Sequence, residues 1–223
     1  RNSYSILYCI MYKIFLRLRK SIFKKFGLKV SPIENNSLKF LYPEATDYEI
    51  NLVETASEFS MTSYDRIFAL LRAIQHIDNN NLEGDFVECG VWKGGNLILY
   101  QKMIEKLNIK GKKIYGFDTF EGMSNPTDAD FPADNLFGGF KAEHYMKTQK
   151  KDLNINNIHA YAPIEMVKNN FNNNTENRNN LILIKGKVED TLKIQSNLPD
   201  KISILRLDTA WYESTKAELE VLY

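Results

Sequence analysis

Apolar residues recur along this chain in two different periods. Ile67, Phe68, Leu70, Leu71, Ile74 and Ile77 fall on one helical face. Thr62-Ser63-Tyr64-Asp65 just ahead of them is a capping-box pattern that opens a helix. Short apolar runs then alternate with helical stretches. Residues 84–89 read as a buried strand, 90–95 as a turn and 96–107 as a helix. A second strand covers 113–117 and ends at Asp118. Residues 163–171 read as a helix, 181–185 as a third strand, 202–207 as a fourth ending at Asp208, and 214–222 as a further helix. This alternation predicts an α/β domain built on a parallel sheet. In such sheets ligands bind beyond the carboxyl ends of the strands. Attention therefore falls on residues 88–95, 118–122, 186–190 and 208–212.

Two stretches stand outside the alternation. Residues 119–157 form a long polar and aromatic insertion with no period, and a loop of that length in a compact domain is functional or mobile. Residues 4–29 mix apolar and basic positions, with Lys13, Arg17 and Arg19 breaking the apolar run. That run is too short and too charged to span a bilayer, and no small-residue cleavage site follows it. It predicts a basic amphipathic helix, packing on the domain or on a second subunit, or lying on a membrane surface. Residues 31–60 carry prolines and mixed polarity and read as a connecting arm. The expected division is thus 1–60 for helix and arm, and 61–223 for the domain, with the insertion near 119–160.

Composition narrows the classes. The 223 residues suit one domain, 43% of them hydrophobic, and a net charge of +1 gives no pull toward nucleic acid. Cys9 and Cys89 suggest neither a disulfide framework nor a metal pair, which points to a reduced, cytoplasmic setting. The chain starts at Arg1 and stops inside a predicted helix, so it is read as a piece of a longer protein.

Three signals carry chemistry. Residues 87–95, Val-Glu-Cys-Gly-Val-Trp-Lys-Gly-Gly, run from a strand through a glycine-rich turn into a helix. Such a turn brings backbone N–H groups close to a ligand, or serves the fold alone. The spacing Glu-x-Gly-x-x-x-Gly is neither the dinucleotide fingerprint nor a P-loop. Asp118, at the end of the second strand, can accept from both hydroxyls of a ribose, or stand solvated. Asp208, ending the fourth, can bind a divalent cation, act as a base, or cap the next helix. His76, His144 and His159 are bases on chemistry alone. Trp92, Trp211, Phe131, Phe137, Phe140 and Tyr145 can line a sugar pocket or pack a lid.

These segments resemble the macrocin O-methyltransferase family. The resemblance rests on residues 86–95 (FVECGVWKGG), 115–123 (YGFDTFEGM), 126–130 (PTDAD), 184–192 (IKGKVEDTL) and 205–223 (LRLDTAWYESTKAELEVLY), with Met61-Thr62-Ser63 and Arg66. It covers residues 62–223. It implies a Rossmann-like class I methyltransferase sheet, S-adenosylmethionine as methyl donor, a sugar hydroxyl as acceptor, magnesium dependence and a homo-oligomer. By motif position, Glu88 and Gly90 would lie by the methionine part of the cofactor, with Gly94 and Gly95 close by, and Val91 and Asn96 would also be cofactor-binding. Asp118 would hold the ribose, and Phe120, Lys187 and Val188 would border the adenine. Thr62, Ser63 and Arg66 would close over the cofactor, and Asp208 would be metal ligand and base. A cation on the hydroxyl would lower its pKa, and a carboxylate would take its proton.

The sequence departs from that pattern twice. The family places a second acid two residues after Asp208, where this chain has Ala210. If the strand continued, residues 208 and 210 would share a face, and a carboxylate would be missing from the site. The family also continues into a strand ending in an Asp-Asp pair that completes the metal site, so the chain reads as C-terminally truncated, with an exposed sheet edge. Two other readings stay open: a catalytically impaired binding protein, and an NAD-dependent Rossmann oxidoreductase, against which the glycine spacing argues.

Overall fold

The computed structural model describes residues 38–127, 129–130, 146–153 and 159–223. The predicted N-terminal helix at 4–29, His144 and four of the insertion aromatics (Phe131, Phe137, Phe140, Tyr145) lie outside them. The chain divides into two compact units, residues 1–46 and 47–223. In the first, helix α1 (Leu38–Leu41) leads into a turn where the Lys39 ammonium donates to the Ala45 carbonyl.

The second unit opens with helix α2 (Asp47–Glu58), inside the stretch expected to be a connecting arm. Its apolar stripe is only three residues long, Leu52, Val53 and Ala56, which polar neighbours mask in sequence. The fourth buried position is Glu49, paired with Arg72 and accepting from Gln75 Nε2 at 2.7 Å. Helix α3 (Tyr64–Asn79) buries all six apolar residues of its predicted face. Ser63 is its N-cap, yet no side chain caps it, so the expected capping box does not form.

Strands β1 (Asp85–Cys89), β2 (Ile114–Asp118), β3 (Leu181–Lys185) and β4 (Ile202–Leu207) form a parallel sheet in the order β3-β2-β1-β4. Strand alternation sorts the side chains. Val87, Cys89, Tyr115, Phe117 and Ile184 share a core with Val188 of helix α6 (Val188–Thr191) and Leu192. The opposite face meets helix α4 (Gly95–Leu107), where the Phe86 and Tyr100 rings stack with centroids 5.0 Å apart. Gly116 of β2 makes room there, since a Cβ would sit 3.3 Å from Leu97 Cδ1 and closer still to Val91 and Leu183. Helices α5 (Ile164–Asn174) and α7 (Tyr212–Leu222) complete the unit, α5 packing on α4 and α7 on β4 and α6. Among the described residues no helix is long and apolar enough to cross a membrane.

Candidate active site at the carboxyl ends of the strands

A cleft of about 760 Å³, counting solvent at its mouth, opens where the four strands end. Its walls come from the β1–α4 turn, the start of the insertion, residues 186–189 and the loop after β4.

Gly90 fixes the geometry of the first wall. It has φ +86°, and a Cβ there would lie 2.4 Å from the Asp208 carbonyl oxygen. Only glycine lets the turn after β1 pass so close to the loop after β4. Asp208 N–H donates to Cys89 O at 2.8 Å across the same seam.

Asp118 lies at the tip of β2 and is occupied by its own neighbourhood. Its Oδ2 accepts from the N–H groups of Val91 at 2.8 Å and Trp92 at 3.1 Å. Its Oδ1 accepts from Phe120 N–H at 2.8 Å and Thr119 Oγ1 at 3.4 Å. Trp92 and Phe120 both have positive φ, 50° and 52°. This carboxylate therefore pins two strained turns, a form of strain that collects at functional sites.

The floor is a five-residue network. The β1–β4 register sets Glu88 opposite Arg206. Arg206 Nη1 donates to Glu88 Oε1 at 2.7 Å, and Nη2 donates to Asp208 Oδ2 at 2.7 Å and Thr62 Oγ1 at 2.8 Å. Asn96 Nδ2, from the first turn of α4, donates to the same Glu88 oxygen at 2.7 Å. Glu88 Oε2 and Asn96 Oδ1 are buried with no partner among the described residues. Burial pushes Glu88 up to about 7, although the Arg206 charge and the Asn96 bond pull the other way. Burial works to lower Arg206, but the carboxylates of Glu88 and Asp208 hold it above its ordinary value.

The loop after β4 is tied to the insertion. Trp211 Nε1 donates to Ser124 O at 2.9 Å. Asp130 Oδ1 accepts from Tyr212 N–H at 2.6 Å, while its Oδ2 accepts from Thr127 N–H at 2.6 Å. A residue of the insertion thus caps α7, whose own N-cap, Trp211, offers no side-chain oxygen.

Of the residues singled out in the sequence, Thr62, Glu88, Gly90, Val91, Trp92, Asn96, Asp118, Lys187, Val188, Asp208 and Trp211 line the cleft together. The others do not. Ser63, the N-cap of α3, and Arg66 in its first turn are exposed. Gly94 is the left-handed N-cap of α4. Gly95 serves helix packing, since a Cβ would lie 2.3 Å from Ala56 O. Phe120 is buried beneath the turn. The expected shared face of residues 208 and 210 is also absent. Strand β4 ends at Leu207, and Ala210 is exposed with φ +71°. Of the histidines, His76 is exposed and His159 Nε2 lies 2.8 Å from Gln149 O. Among the described residues no three His, Cys, Asp or Glu side chains come together as metal ligands. Asp208 by itself, one oxygen already paired with a guanidinium, does not fit a divalent-cation site.

Arg206 is the residue that the sequence reading passed over. The signal was a lone cation inside an apolar strand, two positions before Asp208 and hence on its side of the strand.

The comparisons with known proteins bear on this arrangement. A family model described as macrocin-O-methyltransferase (TylF) matches residues 53–223. The chain belongs to that family. It is 26% identical over 168 residues to the demethyldecarbamoylnovobiocin O-methyltransferase of Streptomyces niveus, covering 75% of this chain and 58% of that protein. It is 23% identical over 212 residues to the 8-demethyl-8-(2,3-dimethoxy-alpha-L-rhamnosyl)-tetracenomycin-C 4'-O-methyltransferase of Streptomyces olivaceus, covering 94% and 74%. Among solved structures, the O-methyltransferase NovP aligns with a TM-score of 0.59 at 25% identity, over 74% of this chain and 62% of that one. The chain thus spans less than two thirds of the length of the first of these relatives and of NovP.

Proposed function

We propose that this chain forms the cofactor-binding part of an S-adenosylmethionine-dependent O-methyltransferase acting on a hydroxyl, that of a sugar in a glycoside or polysaccharide. The observation that carries the reading is the floor of the cleft. Glu88 Oε2 and Asn96 Oδ1 are two buried acceptors without donors, and a buried acceptor left unpaired costs about 1–3 kcal/mol. The ammonium of an amino-acid ligand would satisfy them. Family membership and the names of the relatives above support the same reading.

The cofactor supplies an electrophilic methyl group on a sulfonium. The chain's residues would hold and orient it. Glu88 and Asn96 would take the ammonium, and Gly90 lets the backbone come close. Asp118 would meet the ribose through Oδ1, whose 3.4 Å bond to Thr119 is its longest and the first to yield. Lys187 and Val188 would border the base. Asp208, with one oxygen paired to Arg206 and its side chain 46% exposed, would accept the acceptor's hydroxyl proton. Alignment of the oxygen with the methyl supplies much of the remaining acceleration. Magnesium, which the family resemblance implies, finds no group of three acid, histidine or cysteine side chains among the described residues, so no step runs through it.

The test is calorimetric titration of the chain with S-adenosylhomocysteine, with and without magnesium. Binding that magnesium does not change is expected. No binding by protein with native circular dichroism would overturn the proposal.

A further inference from the structure

We infer that Arg206 is a positioning residue that couples the cofactor side of the cleft to Asp208; the inference rests on the methyltransferase reading above. Its guanidinium is mostly buried, with the side chain 16% exposed. A buried cation is costly unless it is paired and hydrogen-bonded, and Arg206 is paired on both sides. One arm holds Glu88 on β1, and the other holds Asp208 after β4 and Thr62 ahead of α3. Three separate segments of chain thus meet on one planar group.

The fork is what makes the coupling. A guanidinium presents several N–H donors in fixed directions, whereas an ammonium is a compact point charge. Glu88 and Asp208 draw on the same cation, so a change at one alters what remains for the other. A ligand ammonium at Glu88 Oε2 would weaken the claim of Glu88 on Arg206 and leave the guanidinium more fully to Asp208. Binding of cofactor would thereby set the orientation of the acid that receives the proton. Conversely, neutralising Asp208 would give Arg206 wholly to Glu88 and weaken the hold of Glu88 on the ligand.

The prediction is a non-additive pattern of affinities for S-adenosylhomocysteine, measured by calorimetry on the full chain. D208N is expected to weaken binding about threefold, and R206K, which keeps the charge but loses the fork, about tenfold. The double variant R206K/D208N is expected to bind within about twofold of R206K alone, because the influence of Asp208 travels through Arg206. In R206A, millimolar guanidinium is expected to restore part of the lost affinity, and methylammonium is not. Additive losses in the double variant, or wild-type affinity in a folded R206K, would overturn the inference. Failure of the wild-type chain to bind would instead overturn the methyltransferase reading.

Discussion

Replacing Ala210 by glycine should stabilise this protein. Ala210 has φ +71° and is exposed, so its Cβ contributes little packing and the whole cost is backbone strain. An L-residue with a Cβ loses about 1–2 kcal/mol in the left-handed region. Glycine removes that cost but gives back about 0.5–1 kcal/mol of chain entropy. The net gain is about 0.5–1 kcal/mol. With a urea m-value near ~2 kcal/mol/M, the midpoint should rise by about 0.25–0.5 M at unchanged slope. A210D should fall between alanine and glycine, because aspartate tolerates this conformation better than alanine. A210V, β-branched, should be the least stable of the series. A midpoint that falls in A210G, or an A210V as stable as A210G, would refute the strain argument. The same series tests whether an acid at this position suits the backbone.

Two further outcomes follow from two acids, the half-buried Asp118 and the buried Glu218. D118A should lose at least about 3 kcal/mol in urea unfolding, since three backbone N–H groups lose a charged acceptor. A loss below about 1 kcal/mol would mean that the two turns hold without it. Glu218 on α7 is fully buried, and burial with the nearby charges of Glu189 and Asp208 pushes it from 4.5 up to about 7. The folded state then holds the proton more tightly than the unfolded state, so stability is full below pH 4.5 and falls as pH rises through 7. E218Q should therefore gain on wild type between pH 5 and pH 8, by an amount on the order of 1–3 kcal/mol. An equal difference in urea midpoint at the two pH values would count against this account.

Much of the fold was legible because apolar runs mark buried parallel strands. Strands β3 and β4 have the bounds their hydrophobic runs predict, and the six-residue face of α3 is buried as its spacing requires. Helix α2 escaped because its stripe is short and its fourth buried position is the ion-paired Glu49. In the site, motif spacing located Glu88, Asp118 and Asp208, but it could not reveal their partners. Arg206 meets Glu88 only through the register of two strands more than a hundred residues apart in sequence. The donors around Asp118 are mainly backbone N–H groups, which every residue but proline carries and no side-chain pattern announces. Residues 208 and 210 would share a face only if the strand ran on past Leu207, where its hydrophobic run ends, and it does not.

The bond from Tyr212 N–H to Asp130 has a consequence for anyone who would graft a new insertion onto this scaffold. The first turn of α7, and with it the loop that carries Asp208, takes part of its anchorage from a carboxylate some eighty residues upstream. The integrity of this helix is therefore written partly in the insertion. A transplanted loop that brings new acceptor contacts but omits an acid at position 130, or a free carbonyl where Ser124 receives the Trp211 indole, would unsettle the neighbouring loop while trying to reshape the pocket beside it. The transferable unit is the loop together with its two fastenings.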